Sequence, residues 1–250
     1  MSDEILSTRA GAVCELRLNR PAKRNAITFA MYASLAAALR AAQQDEGVRA
    51  VLLSGEGSSF SAGNDLNDFL HGPAFDASHP VLAFLRTLAT FEKPLVAAVQ
   101  GRTVGIGVTL LLHCDLVLAA RGTQFSLPFV KLGLVPEAAS SLLLPRLAGM
   151  HRAAELLLLG EPCDASEALS MGLVNRVVEE DQLLESARAL AATLASQPAG
   201  ALRATRRLLR GDPAEVLARI EAEAQVFGAL LKSEEFRSAV SAALAGKARA

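Results

Sequence analysis

Short apolar segments alternate with amphipathic helical segments through the first half of the chain. Residues 95–99 are all apolar, and residues 48–53 are interrupted only by Arg49. Polar residues or glycine follow each run, as is typical of strands that are buried on both faces. Between the two runs, Pro80 precedes apolar residues at helical spacing and suits the first turn of a helix. The pattern predicts an α/β fold.

An alternating segment before these runs predicts an earlier strand. In residues 13–19, cysteine and leucine at the even positions alternate with polar residues, which is the period of a half-buried strand. We expect this strand to start the sheet. Thr28 is the predicted N-cap of the helix that follows, and residues 115–120 and 124–127 are predicted to form two further strands.

The second half of the chain changes character. After Ala138 nearly every segment has helical spacing, and only residues 173–178 have a strand pattern. Two amphipathic helices are predicted beyond Pro213, and their apolar stripes could pack on the chain's own core or form an oligomer interface. We expect one structural unit with a core at residues 1–195 and a helical C-terminal region at residues 196–250.

Charge and apolar patterning exclude several classes of partner. The net charge is -1, which offers no field to attract a polyanion, so nucleic acid is not expected. An arginine cluster is explained as one local patch and consists of Arg203, Arg206, Arg207 and Arg210. The acidic N-terminus lacks the pattern of an export signal, and no apolar run approaches about 18–20 residues, so no membrane is expected.

The cysteines predict a reducing compartment and no cysteine chemistry. The chain has three cysteines, which is an odd number, and none lies in a CxxC motif or at metal-ligand spacing. A chain of 250 residues can also bury enough surface to fold without disulfides. We therefore expect buried thiols, no metal and a cytoplasmic location.

Two glycine-containing loops follow two of the predicted buried strands. Residues 60–66 are small around Gly63, which allows close approach of the backbone to a ligand. Residues 101–107 run from a strand into a predicted helix start, where free N–H groups and the positive end of the helix dipole meet. Both loops are candidate sites for an anion, or they are ordinary turns.

Common nucleotide and hydrolase motifs do not account for these loops. The second loop has only two of the three glycines of GxGxxG, with Leu110 at the third position, so a Rossmann site is not supported. The sequence contains no GxxxxGK[ST] phosphate loop and no GxSxG nucleophile elbow. The two loops therefore point to a different kind of site.

Glu137 lies in an otherwise uncharged stretch at the predicted start of an apolar helix. A glutamate in the first turn is stabilised by the helix dipole, by a few tenths to about 1 kcal/mol. A carboxyl group among small and apolar neighbours is also one whose pKa rises toward that of a useful base. The local pattern leaves both roles open.

A series of motifs in a consistent order resembles the enoyl-CoA hydratase/isomerase (crotonase) superfamily over residues 5–245. They are Asn19-Arg20-Pro21, Arg24-Asn25-Ala26, residues 60–66, Lys93-Pro94, Gly101, Gly105-Ile106-Gly107, Cys114-Asp115-Leu116 and residues 132–136. The resemblance implies a crotonase-like spiral of ββα units with a helical C-terminal region. It also implies a homotrimer or a dimer of trimers, and an acyl-CoA thioester substrate in which coenzyme A is part of the substrate rather than a separate cofactor.

The resemblance assigns roles to both glycine loops. The thioester oxygen would accept hydrogen bonds from the N–H groups of Ala62 and Ile106. Basic residues after the first strand would face the phosphates of coenzyme A, although a solvated surface pair is the alternative. The substrate-binding residues implied in this way are Lys23, Arg24, Ala62, Gly63, Asn64, Asp65, Leu66, Gly105 and Ile106.

The resemblance also separates two reactions within the family. Hydratases carry two catalytic glutamates, whose positions here correspond to Thr109 and Phe129, and neither side chain can transfer a proton. Glu137 lies in a Pro-Glu-x-x-Ser-Ser pattern that resembles Δ3,Δ2-enoyl-CoA isomerases of the peroxisomal type and their bacterial relatives. This favours Glu137 as the single base of an isomerase, and such a base is expected to be ionised in the free enzyme.

Two other hypotheses remain open at this stage. The chain could be a hydratase or another CoA-thioester enzyme of the same fold, with Asp65 or Asp68 as the nearest spare carboxylates. It could also be an acyl-CoA binding module that performs no chemistry. Products formed from 3-enoyl-CoA and from 2-enoyl-CoA would distinguish all three.

Overall fold

The computed structural model describes residues 3–73 and 75–247 of the chain. The strands in this part are β1 Ile5–Ala10, β2 Val13–Leu18, β3 Ala50–Gly55, β4 Leu95–Val99, β5 Arg102–Val104, β6 Leu116–Ala120, β7 Gln124–Ser126, β8 Cys163–Asp164 and β9 Arg176–Val178. The helices of the first half are α1 Phe29–Gln44, α2 Leu66–His71, α3 Pro80–Ala89 and α4 Ile106–Thr109. Those of the second half are α5 Ser140–Ala148, α6 Met150–Ala154, α7 Ala165–Ser170, α8 Leu183–Ser196, α9 Ala199–Arg210, α10 Ala214–Leu230 and α11 Glu234–Lys247.

A six-stranded sheet in the order β1-β2-β3-β4-β6-β9 forms the centre of the molecule. All of its neighbouring pairs are parallel except the antiparallel β1 and β2. A smaller sheet, β5-β7-β8, includes residues 102–104 of the second glycine loop as its strand β5. The predicted α/β class is confirmed, and Thr28 caps α1 by accepting a hydrogen bond from the Met31 N–H at 3.2 Å.

Alternate side chains of the central strands enter two separate apolar layers. In β4, Leu95, Ala97 and Val99 pack in the large core with α1 and α3. Val96 and Ala98 face the opposite way and pack in a second cluster with the alanine-rich face of α8. Helices therefore cover both faces of the sheet, as the continuous apolar runs predict.

Two expectations about the first predicted strand are wrong. It does not start the sheet, because β1 precedes it and pairs with its edge. It is also not half-buried, because α8 covers its second face. Glu15 on that face is 4% exposed, and the Arg188 guanidinium donates to both of its carboxylate oxygens at 2.9 and 2.8 Å. Glu15, whose polarity suggested a solvent-exposed face, instead forms an ion pair with Arg188 of α8.

The C-terminal helices pack on the chain's own core. Ile220 and Phe227 of α10 and Phe236 and Val240 of α11 are each at most 1% exposed and belong to the large apolar cluster. The own-core alternative is thus confirmed for these stripes. The oligomeric state and the division at residue 195 stay predictions.

The described residues include the arginine patch and all three cysteines. Arg206 and Arg210 donate to the Asp115 carboxylate at 2.7 and 2.8 Å, so half of the arginine patch is tied into the fold. All three cysteines are buried thiols. Over the described ranges, no helix is both long and apolar enough to cross a membrane.

Candidate active site

The first glycine loop runs between two other segments of the chain. On one side, Ile27 donates to the Gly63 carbonyl at 2.8 Å and its own carbonyl accepts from the Asp65 N–H at 2.9 Å. On the other side, the Val104 N–H donates to the Ser61 carbonyl at 2.9 Å. A side chain at position 63 would lie 2.9 Å from the Val104 carbonyl at a φ of 87°, so glycine is required there.

The oxyanion donor expected at Ala62 is wrong. The Ala62 N–H already donates to the Arg24 carbonyl at 2.8 Å, which holds the start of the loop against the preceding turn. The Asn64 N–H has no acceptor among residues 3–73 and 75–247. In a parallel pairing, the amide between two bonded neighbours points to the opposite edge, so it faces away from Ile27. Asn64 is therefore a free donor of this loop.

The second glycine loop also presents an unbonded amide. Ile106 is the first residue of α4, and its N–H donates to no acceptor within the described chain. The following amides of Val108 and Thr109 both donate to the Gly105 carbonyl. Because a side chain at Gly107 would lie 3.0 Å from the Ser61 Cβ, the two loops touch at this point. The site thus has two free amides on adjoining backbone segments, as an oxyanion hole needs.

Glu137 lies next to the first of these loops. Its side chain is 5% exposed, and the Asn64 side-chain amide donates to its Oε1 at 3.4 Å. Burial, and then the charge of Glu223, raise the pKa of Glu137 to about 8, although the hydrogen bond from Asn64 lowers it. The raised pKa opposes ionisation of Glu137 near neutral pH, and its ionisation in the free enzyme stays a prediction.

The position of Glu137 does not fit a helix-dipole role. Helix α5 begins at Ser140, with Ala139 as its N-cap, so Glu137 precedes the first turn. Its backbone carbonyl instead accepts from the Ser140 N–H at 3.1 Å and from the Ser140 hydroxyl at 2.6 Å. The side chain is left free for other contacts.

The turn that carries Glu137 is held in a strained conformation. Ala138 and Ala139 both have positive φ, at 62° and 55°, which costs a residue with a side chain roughly 1–2 kcal/mol. The Ala138 carbonyl accepts from Nε2 of His113 at 2.8 Å, and burial lowers the pKa of His113 to about 4, so this ring is neutral. Strain at such a site persists only where surrounding contacts enforce it.

Tyr32 fixes the orientation of Asn64. The Tyr32 hydroxyl donates to Oδ1 of Asn64, so the amide nitrogen faces Glu137. The tyrosine is fully buried, and burial followed by the charge of Glu137 raises its pKa well above the usual value. The three side chains form one continuous hydrogen-bonded chain.

The other carboxylates near the loop have structural partners. Asp65 caps α2 through the Asn67 N–H and accepts from Arg20 at 2.6 Å. Burial opposes its ionisation, but the hydrogen bonds from Arg20 and Asn67 prevail and lower the pKa of Asp65. Asp68 accepts from the Phe29 N–H at 2.7 Å. Neither carboxylate is placed as a spare proton donor.

The remaining predicted positions divide into buried and exposed groups. Thr109 and Phe129, at the two hydratase positions, are 0% and 4% exposed. Leu66 is half-buried at the start of α2. Lys23 and Arg24 are exposed, and no ion pair or hydrogen bond of their side chains is found in the described ranges. Those ranges also hold no cluster of residues suited to a metal ion.

Sequence reasoning missed three contributors to the site. Tyr32 had a signal, since it is the chain's only tyrosine and is found in an apolar helical stripe. Glu223 had a stronger one, because it occupies the stripe position between Ile220 and Phe227, where an apolar residue is expected. The free amide of Asn64 had none, because only the hydrogen bonds of neighbouring segments determine which amide remains unbonded.

The sequence profile of the enoyl-CoA hydratase/isomerase family matches residues 8–246. The chain is 38% identical to the 1,2-epoxyphenylacetyl-CoA isomerase of Escherichia coli strain K12, over 98% of this chain and 97% of that protein. It is 37% identical to enoyl-CoA delta isomerase 2 of Rattus norvegicus over 96% of its length, and spans 63% of the rat protein.

A solved structure extends the likeness to the fold. The enoyl-CoA hydratase/isomerase from Pseudoalteromonas atlantica T6c matches with a TM-score of 0.93 and 40% identity, over 98% of both chains. Relatives by sequence also include a 2,3-dehydroadipyl-CoA hydratase and carnitinyl-CoA dehydratases. The relatives therefore share a fold but carry the names of several different reactions.

Proposed function

Because this chain belongs to the enoyl-CoA hydratase/isomerase family, we propose that it is an enoyl-CoA isomerase that moves a double bond from C3 to C2. Glu137 is the only proton carrier in this proposal. The observation that carries it is the buried Glu137 carboxyl group, hydrogen-bonded to Asn64, whose backbone amide has no acceptor among the described residues. A proton acceptor and an oxyanion donor are thus combined within one contact.

The reaction needs one base and one oxyanion hole. The thioester oxygen accepts hydrogen bonds from the N–H groups of Asn64 and Ile106, which lowers the cost of charge on that oxygen. The Glu137 carboxylate removes a proton from C2, and the electron pair of the broken C–H bond delocalises over the thioester and the neighbouring double bond. The same carboxyl group returns the proton to C4, which leaves the double bond between C2 and C3.

Hydration is less well supported by the same geometry. Water addition needs one group to activate water and a positioned source of a proton for carbon. Thr109 and Phe129 supply neither at the two positions where hydratases of the family carry glutamates. Asp65 and Asp68 are held by helix ends and by Arg20. One exchangeable carboxyl group is enough for isomerisation and too few for that route to hydration.

Coenzyme A binding is proposed along the first loop. The Arg24 carbonyl accepts from the Ala62 N–H of this loop, and the exposed side chains of Lys23 and Arg24 have no ion-pair partner within the described part of the chain. Both cations can therefore turn toward the phosphates of the ligand without breaking an existing ion pair. A homotrimer or a dimer of trimers stays a prediction, as does the expectation that no separate cofactor is required.

The test is to incubate the protein separately with a 3-enoyl-CoA and a 2-enoyl-CoA, and to identify the products by chromatography and NMR. We expect conversion of the first to a 2-enoyl-CoA and no 3-hydroxyacyl-CoA from either. A hydrated product would replace this proposal with the hydratase alternative. Thioester binding without turnover would favour the non-catalytic binding module.

A further inference from the structure

Glu223 is a buried carboxylate on α10, far from Glu137 in sequence. It occupies the apolar stripe of the helix, one turn from both Ile220 and Phe227, and is 7% exposed. A glutamate in such a position is costly unless its oxygens are bonded. Its surroundings therefore call for an explanation beyond packing.

The partners of Glu223 all belong to the turn that carries Glu137. The carboxylate accepts from the Ala139 N–H at 2.7 Å, from the Ser141 N–H at 3.0 Å and from the Ser141 hydroxyl at 2.6 Å. Ala139 is the N-cap of α5 but has no side chain that could accept a hydrogen bond. Glu223 supplies the missing cap from another helix. Burial raises the pKa of Glu223, while the three hydrogen bonds, all donated to it, lower that pKa and favour its ionised form.

We propose that Glu223 is a positioning residue for Glu137: it holds the strained turn in place and keeps a second negative charge close to the base. The proposal rests on the proposed function, because it assigns a role in that reaction. Without this carboxylate, two amides and a hydroxyl would lose their acceptor, and two left-handed alanines would lose a contact that enforces their conformation.

The neighbouring groups Tyr32, His113 and Arg219 do not supply a negative charge in place of that of Glu223. From α1, Tyr32 is neutral, since burial raises its pKa, and from the segment after α4, His113 is neutral, since burial lowers its pKa. Arg219, one turn before Glu223, donates to the Ser141 hydroxyl at 3.3 Å and partly offsets the negative charge. Glu223 is the group whose charge strengthens the hold of Glu137 on its proton.

The experiment compares Glu223→Gln with Glu221→Gln. Glu221 is on the same helix, but it is only half-buried and pairs with Arg86 at 2.7 Å, so it serves as the matched control. The pH dependence of kcat/KM for isomerisation is measured for both variants and for the unmodified protein. In parallel, 13C NMR follows the titration of the Glu137 carboxyl carbon without substrate, with its signal assigned by its loss in Glu137→Gln.

In Glu223→Gln we expect two values to fall together by about 0.5–1 pH unit: the pKa of the acid limb of the kcat/KM profile and the pKa of the Glu137 carboxyl group followed by NMR. The variant should then lose less activity at pH 6 than at pH 9, because its base is ionised at lower pH while its turn is held less firmly. Glu221→Gln should match the unmodified protein. An equal loss of activity at every pH, with the acid limb and the NMR pKa of Glu137 both unchanged, would show that Glu223 has only a structural role and would overturn the proposal.

A second variant covers the case in which Glu223→Gln does not fold. Glu223→Asp keeps the negative charge but has a shorter side chain. The variant should lose thermal stability, while the pKa of Glu137 measured by NMR stays raised. A titration of Glu137 at its ordinary value in this variant would contradict the proposal. If the titrations behave as expected but no protein isomerises any enoyl-CoA, the proposed function fails while the electrostatic coupling of the two carboxylates stands.

Discussion

The glycine loops and the Glu137 turn reach unusual backbone conformations by different means. Gly63 and Gly105 have positive φ values of 87° and 54°, which a residue without a side chain adopts readily, and an added side chain at Gly63 would lie 2.9 Å from the Val104 carbonyl. The Glu137 turn places two alanines at positive φ and is held by side chains from distant elements, His113 and Glu223. One part of the site depends on local residue choice, and the other depends on the assembled fold.

This difference predicts different responses to substitution. A change in a glycine loop acts on the backbone amides and therefore on the oxyanion hole. A change around the Glu137 turn acts on the position and proton affinity of one carboxyl group. The two regions meet at Asn64, whose backbone belongs to the first and whose side chain contacts Glu137.

The largest effect is expected for Glu137→Gln, which removes the proposed base. Turnover of 3-enoyl-CoA should fall by about 10²–10⁴-fold, the range for loss of general acid–base catalysis, while thioester binding is nearly unchanged. The measurement is kcat by absorbance of the thioester together with binding by calorimetry. Turnover within a few-fold of the unmodified protein would remove Glu137 from the reaction.

The stability of Glu137→Gln relative to the unmodified protein should increase as the pH rises. The folded protein raises the pKa of Glu137 from 4.5 to about 8, so its contribution to stability is fully present below pH 4.5 and is lost as the pH rises through about 8. Glutamine does not ionise, so the gain in unfolding free energy at pH 9 should be on the order of a few kcal/mol. A lower melting temperature for Glu137→Gln at pH 9 would contradict the assigned burial.

The second effect concerns the oxyanion hole and contrasts Ile106→Pro with Ile106→Ala. Proline deletes the free N–H at the first position of α4, where a helix tolerates proline. Alanine keeps the N–H and removes most of the same buried side chain. We expect proline to reduce kcat/KM by about 10²–10³-fold and alanine to reduce it far less. Equal losses in the two folded variants would place the oxyanion elsewhere.

A smaller effect is expected for Tyr32→Phe, which removes the hydroxyl that orients Asn64. The net loss of one hydrogen bond, about 0.5–1.5 kcal/mol, corresponds to a reduction of roughly 2–10-fold in kcat. Because the Asn64 amide lowers the pKa of Glu137, a loosened amide should move the acid limb of the pH profile upward. An unmoved limb would show that Tyr32 only packs.

The smallest effect is expected for the double variant Lys23→Ala and Arg24→Ala. These exposed cations should contribute to coenzyme A binding through screened charge interactions, so KM should rise a few-fold at low salt. At high salt the variant and the unmodified protein should converge. Equal KM values for the two proteins at low ionic strength would show that neither residue contributes to coenzyme A binding.

The parts of the molecule that sequence predicts are those set by local pattern. The runs at residues 48–53 and 95–99 become β3 and β4, and Thr28 caps α1. The pattern at residues 13–19 misled because Arg188, from 173 residues away, covers Glu15. In the site, the position of Glu137 was found by motif, but its protonation state depends on burial and on Glu223, which only the packed structure brings together.

The central claim is that one buried carboxyl group carries the proton between two carbons. It is tested most directly by following 3-enoyl-CoA deuterated at C2, with NMR detection of the product in the first turnovers. Because Glu137 is 5% exposed, exchange with water should be slow, and part of the deuterium should appear at C4 of the 2-enoyl-CoA. A product that carries only solvent hydrogen at C4 from the first turnover onward would contradict a single shielded carrier.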